Sequence, residues 1–308
     1  VRKAIQSASP ERNTIIAGIL VMLLGIFLFA ANDALGKYFV ETFSVGQVLL
    51  LRSIGAFLVL VPMLWRQGKS DLFRPAHPGI QIARVLATAG DTGLFYAAVA
   101  YLPLANVITF YMASPIYVAA ISHFFLNEKI RWRRWLAICV GFCGVLIALK
   151  PDAGMFASPA SLYAIIGSLC FALVIIFNRV LRSTSDVTLV TWQTIGALII
   201  GGLLTINHWQ AATTLQWGGF FLLGAVSCIG HILIAHAMKL APASVLAPLP
   251  YTLLLWGIVF GIIFFGNYPA PHVLVGAAII ILAGLFIYHR KKVVNKKLSE
   301  TDVGKVGR

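Results

Sequence analysis

Ten mainly apolar stretches follow one another along this chain with only short polar breaks between them, and nothing else in the sequence limits its folding so severely. A helix needs about 20 apolar residues to cross the hydrocarbon core of a bilayer. Stretches of that order run from Ile15 to Tyr38, Val45 to Leu64, Ile80 to Tyr101, Ala105 to Asn127, Ser161 to Leu181, Asp186 to Ile206, Leu215 to Met238, Ser244 to Phe265 and Pro271 to His289, with a shorter one from Trp135 to Leu149. Hydrocarbon offers backbone N–H and C=O groups no partners, so only helices and closed barrels span it. Runs of this length fit helices. Composition excludes a water-soluble alternative: 59% of residues are hydrophobic and 11% charged, against roughly 25% charged in soluble chains. The expected fold is an all-α membrane protein of ten transmembrane helices.

Lysine and arginine stay on the cytoplasmic side of a membrane protein and so set its direction. With the N terminus inside, only Lys37 and Lys150 of the 24 basic residues fall on the far side, and only Arg52 and Arg84 lie within spans. Both termini then come out cytoplasmic, and the expected location is a bacterial inner membrane. The net charge of +14 would suggest nucleic acid only if it formed a water-facing patch; here the basic residues sit between apolar runs and face lipid headgroups. The first apolar run is too long for a signal peptide and lacks a small-residue cleavage site. Trp65, Trp132, Trp135, Trp209 and Trp217 fall at span ends, where indoles prefer to lie, whereas Trp192 and Trp256 are deeper and become candidates for lining a cavity. Cys139, Cys143, Cys170 and Cys228 lie inside apolar runs with no metal-ligand spacing and read as small buried packing residues.

The chain repeats itself. Phe95 to Val107, containing Leu102-Pro103-Leu104-Ala105-Asn106-Val107, echoes Leu233 to Val245, containing Leu240-Ala241-Pro242-Ala243-Ser244-Val245, at an offset of 138; Gly144 to Ile147 resembles Gly284 to Ile287 at an offset of 140. Asn32-Asp33 and Asn178-Arg179 sit late in the first span of each half. Five spans is an odd number, so the second copy must enter the membrane upside down. Residues 15–150 then form the first repeat, 161–289 the second and 290–308 a basic cytoplasmic tail. Two inverted repeats are the architecture of secondary transporters, which bind substrate near the midplane between the halves.

These features together resemble the EamA-type branch of the drug/metabolite transporter superfamily: the two turns just quoted, Pro115 in the fourth span followed by Asn127-Glu128-Lys129, and the Gly-Val-Leu-Ile close. Within it the chain looks most like the YddG-type amino-acid exporters. The resemblance implies export of small metabolites, amino acids first, by alternating access through a central cavity, without enzymatic activity. It departs from the pattern at Asn267-Tyr268, where the second half lacks the acid of Asn127-Glu128. No glutamate lies in the first span, which speaks against proton antiport by the route that small relatives use. A membrane-embedded enzyme acting on lipid or lipid-linked substrates is the competing reading, but that chemistry needs clustered acids, histidines or a metal, and the spans hold few. No cofactor or metal is expected; the partners are a small-molecule substrate and membrane lipid, not nucleic acid, and the chain is expected to be monomeric.

Ionisable side chains are expensive at a helix centre and mark pairs, wet cavities or function. Arg84, Thr88 and Asp91 share one face of the third span, so Asp91 is either the partner of a snorkelling Arg84 or a cavity carboxylate. Asp33 and Arg52 lie at depths about 3 Å apart on neighbouring spans, which allows an ion pair, with Asp33 to Lys37 as its competitor, or contact with the charged ends of a zwitterion. His231 is a packing or cavity residue; with His236 five positions on, the two cannot chelate one metal from this helix. Pro115, Pro248 and Pro250 leave carbonyls near Tyr111, Ser244 and Leu246 without a helical donor, and Tyr111 and Tyr251 occupy related positions at an offset of 140. The expected cavity therefore draws on Asn32, Arg52, Asp91, Tyr111, Trp192, Gln193, His231 and Tyr251. Gly257 and Gly261 form a GxxxG pair suited to close helix packing.

Overall fold

The computed structural model describes residues 2–67, 77–114, 117–118, 121, 132–150, 158–181, 183–240, 249–279 and 281–283. Ten α-helices occur among them: α1 Arg2–Val40, α2 Val45–Gln67, α3 Pro78–Val99, α4 Leu104–Tyr111, α5 Trp132–Leu149, α6 Pro159–Val180, α7 Asp186–Thr205, α8 Thr214–Leu240, α9 Thr252–Phe265 and α10 Pro271–Ala283. Pro115, Asn127 to Lys129, Ala241 to Pro248, Gly284 to Ile287, the tail and the side chain of Tyr251 lie outside the described residues. Five helices, within α1, α2, α6, α7 and α8, are long and apolar enough to cross a membrane. α3 is long enough but carries Gln81, Arg84, Thr88, Asp91 and Thr92. Leu20, Leu58, Leu86, Leu203 and Ile263 are all more than half exposed, an apolar surface of the kind a bilayer covers.

Local chemistry sets the helix ends. Pro78 and Pro159 open α3 and α6 at first-turn positions, where a missing N–H costs nothing. Ser185 caps α7, its hydroxyl accepting from the Thr188 amide at 3.2 Å. The fourth span is not one continuous helix. α4 stops at Tyr111, four residues before Pro115, where the proline deprives the Tyr111 carbonyl of its donor. The ninth span has its counterpart: α9 begins at Thr252, behind a 3₁₀ turn at Leu249–Tyr251 that contains Pro250.

The helices pack in pairs that a twofold operation would exchange. α1 packs on α8 as α3 does on α6; α2 on α8 as α3 does on α7; α1 on α9 as α4 does on α6; and α2 with α7 and α4 with α9 are self-paired. Directions alternate as the inverted repeat demands. The end of α1 meets the start of α8 through Phe39 and Phe220, stacked at 4.1 Å, and the start of α3 meets the end of α6 and the start of α7 through Arg84. Small residues let the central helices approach. A Cβ on Gly224 of α8 would lie closer to the α2 backbone at Arg52, Gly55 and Ala56 than real Cβ atoms come, and one on Gly201 of α7 would meet the backbone at Gly46 and Leu50. Gly257 presses on Ile108 of α4, but Gly261 has ordinary room, so only half of the GxxxG pair is used for tight packing. Contrary to expectation, Cys139 and Cys143 are exposed on α5; only Cys228 is buried.

Gly224→Ala should lower stability by about 1–3 kcal/mol, the usual cost of overpacking a tight contact. Gly218→Ala, where a Cβ meets nothing within 4 Å, should not. Thermal unfolding of the two purified variants in detergent measures the difference.

Candidate functional site

Where α2 and α3 of one repeat face α7 and α8 of the other, a small cavity is walled by Arg52, Thr88, Thr92, Gln193, Ser227 and His231, among others. Its free volume is only about 30 Å³, room for one or two waters and not for an organic solute. Its polarity is unusual for the middle of a membrane protein. Most hydroxyls there are nonetheless spent on their own helix: Ser53 donates to the Leu49 carbonyl, Thr88 to Arg84 and Thr194 to Val190, each four residues back.

The charged groups are held by neutral partners. Arg52 donates to the Tyr96 hydroxyl at 3.3 Å and to the Ser227 hydroxyl of α8, and its guanidinium lies 5.7 Å from the Tyr96 ring centroid. It makes no hydrogen bond to Asp33, whose carboxylate instead accepts from the Asn32 amide at 3.3 Å. Asp33 nonetheless sits within electrostatic reach of both Arg52 and Asp91. Asn32 is 3% exposed and its carbonyl oxygen has no partner. Arg84 does not snorkel and does not pair with Asp91. It is 3% exposed and bonds across to the second repeat: to the Asn178 side chain of α6, and on α7 to the Leu189 carbonyl and the Gln193 side chain, both at 3.0 Å. Lys37 is likewise buried; it donates to the carbonyls of Val99 and Leu102 at 2.7 and 3.2 Å and lies over the Phe265 ring. It ties α1 to the α3–α4 turn, not to Asp33.

Of the residues expected in the cavity, the structure brings Arg52, Gln193 and His231 into one wall. His231 contacts the Ser227 carbonyl through Nδ1 at 2.9 Å and meets Phe29 edge-on. Asp91 is adjacent to the wall residue Thr92; its main-chain carbonyl accepts from the Tyr111 hydroxyl at 3.1 Å. Tyr111, packed against Phe95 and Phe171, is thereby tied to α3 and α6. Trp192 and Asn32 are outside the wall, and Trp256 packs with Phe27 and Phe260. Sequence reasoning missed Tyr96, Ser227 and Thr92. Their spacing gives no signal, because lone hydroxyls in an apolar helix look like packing residues until a neighbouring helix supplies Arg52.

Both ends of the bundle are tied between repeats. At the Lys37 end, the side chain of Gln47, fully buried on α2, donates to the Gln210 carbonyl at 2.6 Å and accepts from the Gln210 amide at 3.0 Å. An open recess of about 500 Å³ lies at the same end, lined by Lys37, Glu41, Tyr101, Leu102, Phe265 and Asn267 among others. The opposite end is held by Arg84. No group of three His, Cys, Asp or Glu among the described residues could hold a metal ion.

The model of the EamA-like transporter family matches residues 16–150 and again 158–289. The chain belongs to that family. The model matches twice, as it would a chain built of two repeats. An S-adenosylmethionine uptake transporter of Rickettsia bellii is 31% identical over 285 residues, covering 91% of this chain and 97% of that protein. The pseudopaline exporter CntI of Pseudomonas aeruginosa is 27% identical, covering 90% and 97%, and a riboflavin transporter of Rhizobium johnstonii is 28% identical, covering 75% and 77%. A crystal structure superposes with a TM-score of 0.66 at 15% identity over 87% of this chain and 95% of that one, a likeness of fold alone. The chain is therefore a membrane transporter of the EamA-like family, and the solutes named for its relatives reach beyond amino acids.

Gln47→Leu should cost about 1 kcal/mol for the lost pair of bonds, since water reaches Gln210 and limits the penalty. Thermal unfolding of the variant in detergent reads the loss, and an unchanged midpoint would show that this tie is not structural.

Proposed function

We propose that this EamA-like transporter carries small metabolites with an α-amino-carboxylate head by alternating access, with residues 15–150 and 161–289 as the two moving repeats and 290–308 as a cytoplasmic tail. The observation that carries the reading is Arg52: a half-buried guanidinium in the wall of the small cavity between the repeats, whose hydrogen bonds go to neutral hydroxyls. A cation whose hydrogen-bond partners are neutral can exchange one of them for a carboxylate with a gain, because charge-assisted pairs are about twice as strong as neutral ones. Asn32 and Asp33 offer the complementary feature. One buried oxygen there has no donor and a carboxylate stands beside it, which suits a substrate ammonium group.

S-adenosylmethionine, named for the Rickettsia relative, has such a head and a sulfonium besides; free amino acids are the smallest members of the class. Because the cavity of about 30 Å³ admits no such solute, binding requires the repeats to separate. The named relatives include an uptake carrier and an exporter; export is the direction proposed for this chain. The Arg84 end, where the basic segments gather, is read as cytoplasmic.

Purified protein in liposomes should exchange labelled S-adenosylmethionine faster than empty liposomes do, with methionine as a second solute. Loss of the Arg52 contact is worth about 1.5–3 kcal/mol, so Arg52→Gln should weaken exchange at least tenfold. Asp91→Asn should keep the fold, since its main-chain carbonyl holds the Tyr111 bond. Exchange of neither solute by the unmodified protein would end the proposal.

A further inference from the structure

Resting on that reading, we infer that Arg84 and Gln81 form a second carboxylate site at the cytoplasmic end, one that holds the end shut when empty and receives the substrate's carboxylate when it opens. Three observations lead there. Arg84 is 3% exposed, and its three hydrogen bonds go to Asn178, Leu189 and Gln193, all in the second repeat and all neutral. A guanidinium has five N–H groups, so a second hydrogen on each terminal nitrogen is unspent. Gln81, three residues earlier and on the same face of α3, is 2% exposed, and neither its amide nitrogen nor its oxygen has a partner. Two sets of unused donors are thus buried on one face of α3.

Separation of the repeats at this end must break all three Arg84 bonds at once. The guanidinium then faces the opening with Gln81 beside it, and a carboxylate is the group that replaces three neutral acceptors most favourably, through a bidentate pair. The substrate therefore supplies part of the driving force for opening. The site also leads inward. Gln193, which accepts from Arg84 while the end is shut, is in the cavity wall, and Thr88 and Thr92 continue the polar face of α3 into the same wall. From Arg84 to Thr92 is about 12 Å along the helix, and Arg52 waits in that wall, so the carboxylate passes from one guanidinium to the next.

The test compares S-adenosylmethionine with its decarboxylated form, which keeps the sulfonium and loses only the carboxylate, in liposomes containing the full chain. Arg84→Gln should raise the KM for S-adenosylmethionine at least tenfold and leave that of the decarboxylated compound unchanged; Arg84→Lys should recover part of the loss. Gln81→Leu removes an unpartnered buried amide and therefore folds well, and it should raise the same KM severalfold even where an Arg84 variant is poorly folded. Equal effects on both compounds would overturn the inference, because a merely structural latch does not distinguish them. Should the unmodified protein carry neither compound, the substrate reading fails separately. The site is then tested with acetate, through maleimide labelling of Val187→Cys, buried in the first turn of α7, with the labelled position identified by mass spectrometry. Sodium acetate should accelerate that labelling several-fold over sodium chloride at equal ionic strength, and should not do so when Arg84→Gln is also present. Identical rates in the two salts would exclude a carboxylate site.

Discussion

Hydrocarbon cannot hydrogen-bond, and the arrangement of polar groups in this protein follows from that fact. Hydroxyls of Ser53, Thr88, Thr109, Thr191, Thr194 and Thr205 turn back onto carbonyls four residues earlier in their own helices. Arginines cannot be satisfied that way. Their several donors need acceptors from other helices, which forces Arg52 and Arg84 to the seam between the repeats. Close packing of Gly224 on the α2 backbone at Arg52 brings Ser227 of the same helix within reach of that guanidinium, so the polar seam and the small-residue contact there depend on each other. A helix pushed outward by a larger residue would strand a buried cation.

The positions of Arg84 and Lys37 show how a charged side chain can join elements that a sequence reading keeps apart. From sequence, Arg84 has Asp91 on its own face and water four residues away, and Lys37 has Asp33 one turn back. Both instead reach carbonyl and amide oxygens on other helices or in a turn. Those acceptors are part of the backbone or of unremarkable Asn and Gln residues, which carry no pattern. Spans and repeats, by contrast, were legible because they are written in long periodicities that the bilayer enforces. The break in the fourth span was legible in part: Pro115 pointed to an unsatisfied carbonyl at Tyr111, and α4 ends on that residue. What the sequence could not convey is that Tyr111 would spend its hydroxyl on the Asp91 carbonyl, since that bond depends on how α3 and α4 are packed. Arg52, Gln193 and His231 could be named beforehand because a polar residue deep in an apolar run is costly. Ser227 and Tyr96, less costly, could not.

The two halves share a plan but not a chemistry. At the offset of 138 that relates α3 to α8, Leu222 stands where the first repeat has Arg84 and Gly219 where it has Gln81. Correspondingly, the Lys37 end is closed by the packed rings of Phe39, Phe43 and Phe220 together with the Gln47 tie, and the Arg84 end by a guanidinium. An aromatic closure yields to any solute that offers apolar surface. A guanidinium closure yields to an anion. Under the proposed transport reading, the two ends then ask different things of a substrate, one for apolar surface and the other for an anion.

The interrupted helices have an electrical consequence. α4 is 8 residues long and ends at Tyr111, and α9 starts at Thr252, so a helix C-terminus and a helix N-terminus both fall within the bundle. Each carries roughly half an elementary charge, negative for the first and positive for the second. Gly257 of α9 presses on Ile108 of α4, so the two helices are in contact and their opposite end charges offset each other in part. A lone terminus at that depth would draw in ions of one sign whatever else they carried. With the end charges of α4 and α9 opposed in this way, selection by charge rests more on side chains than on helix ends.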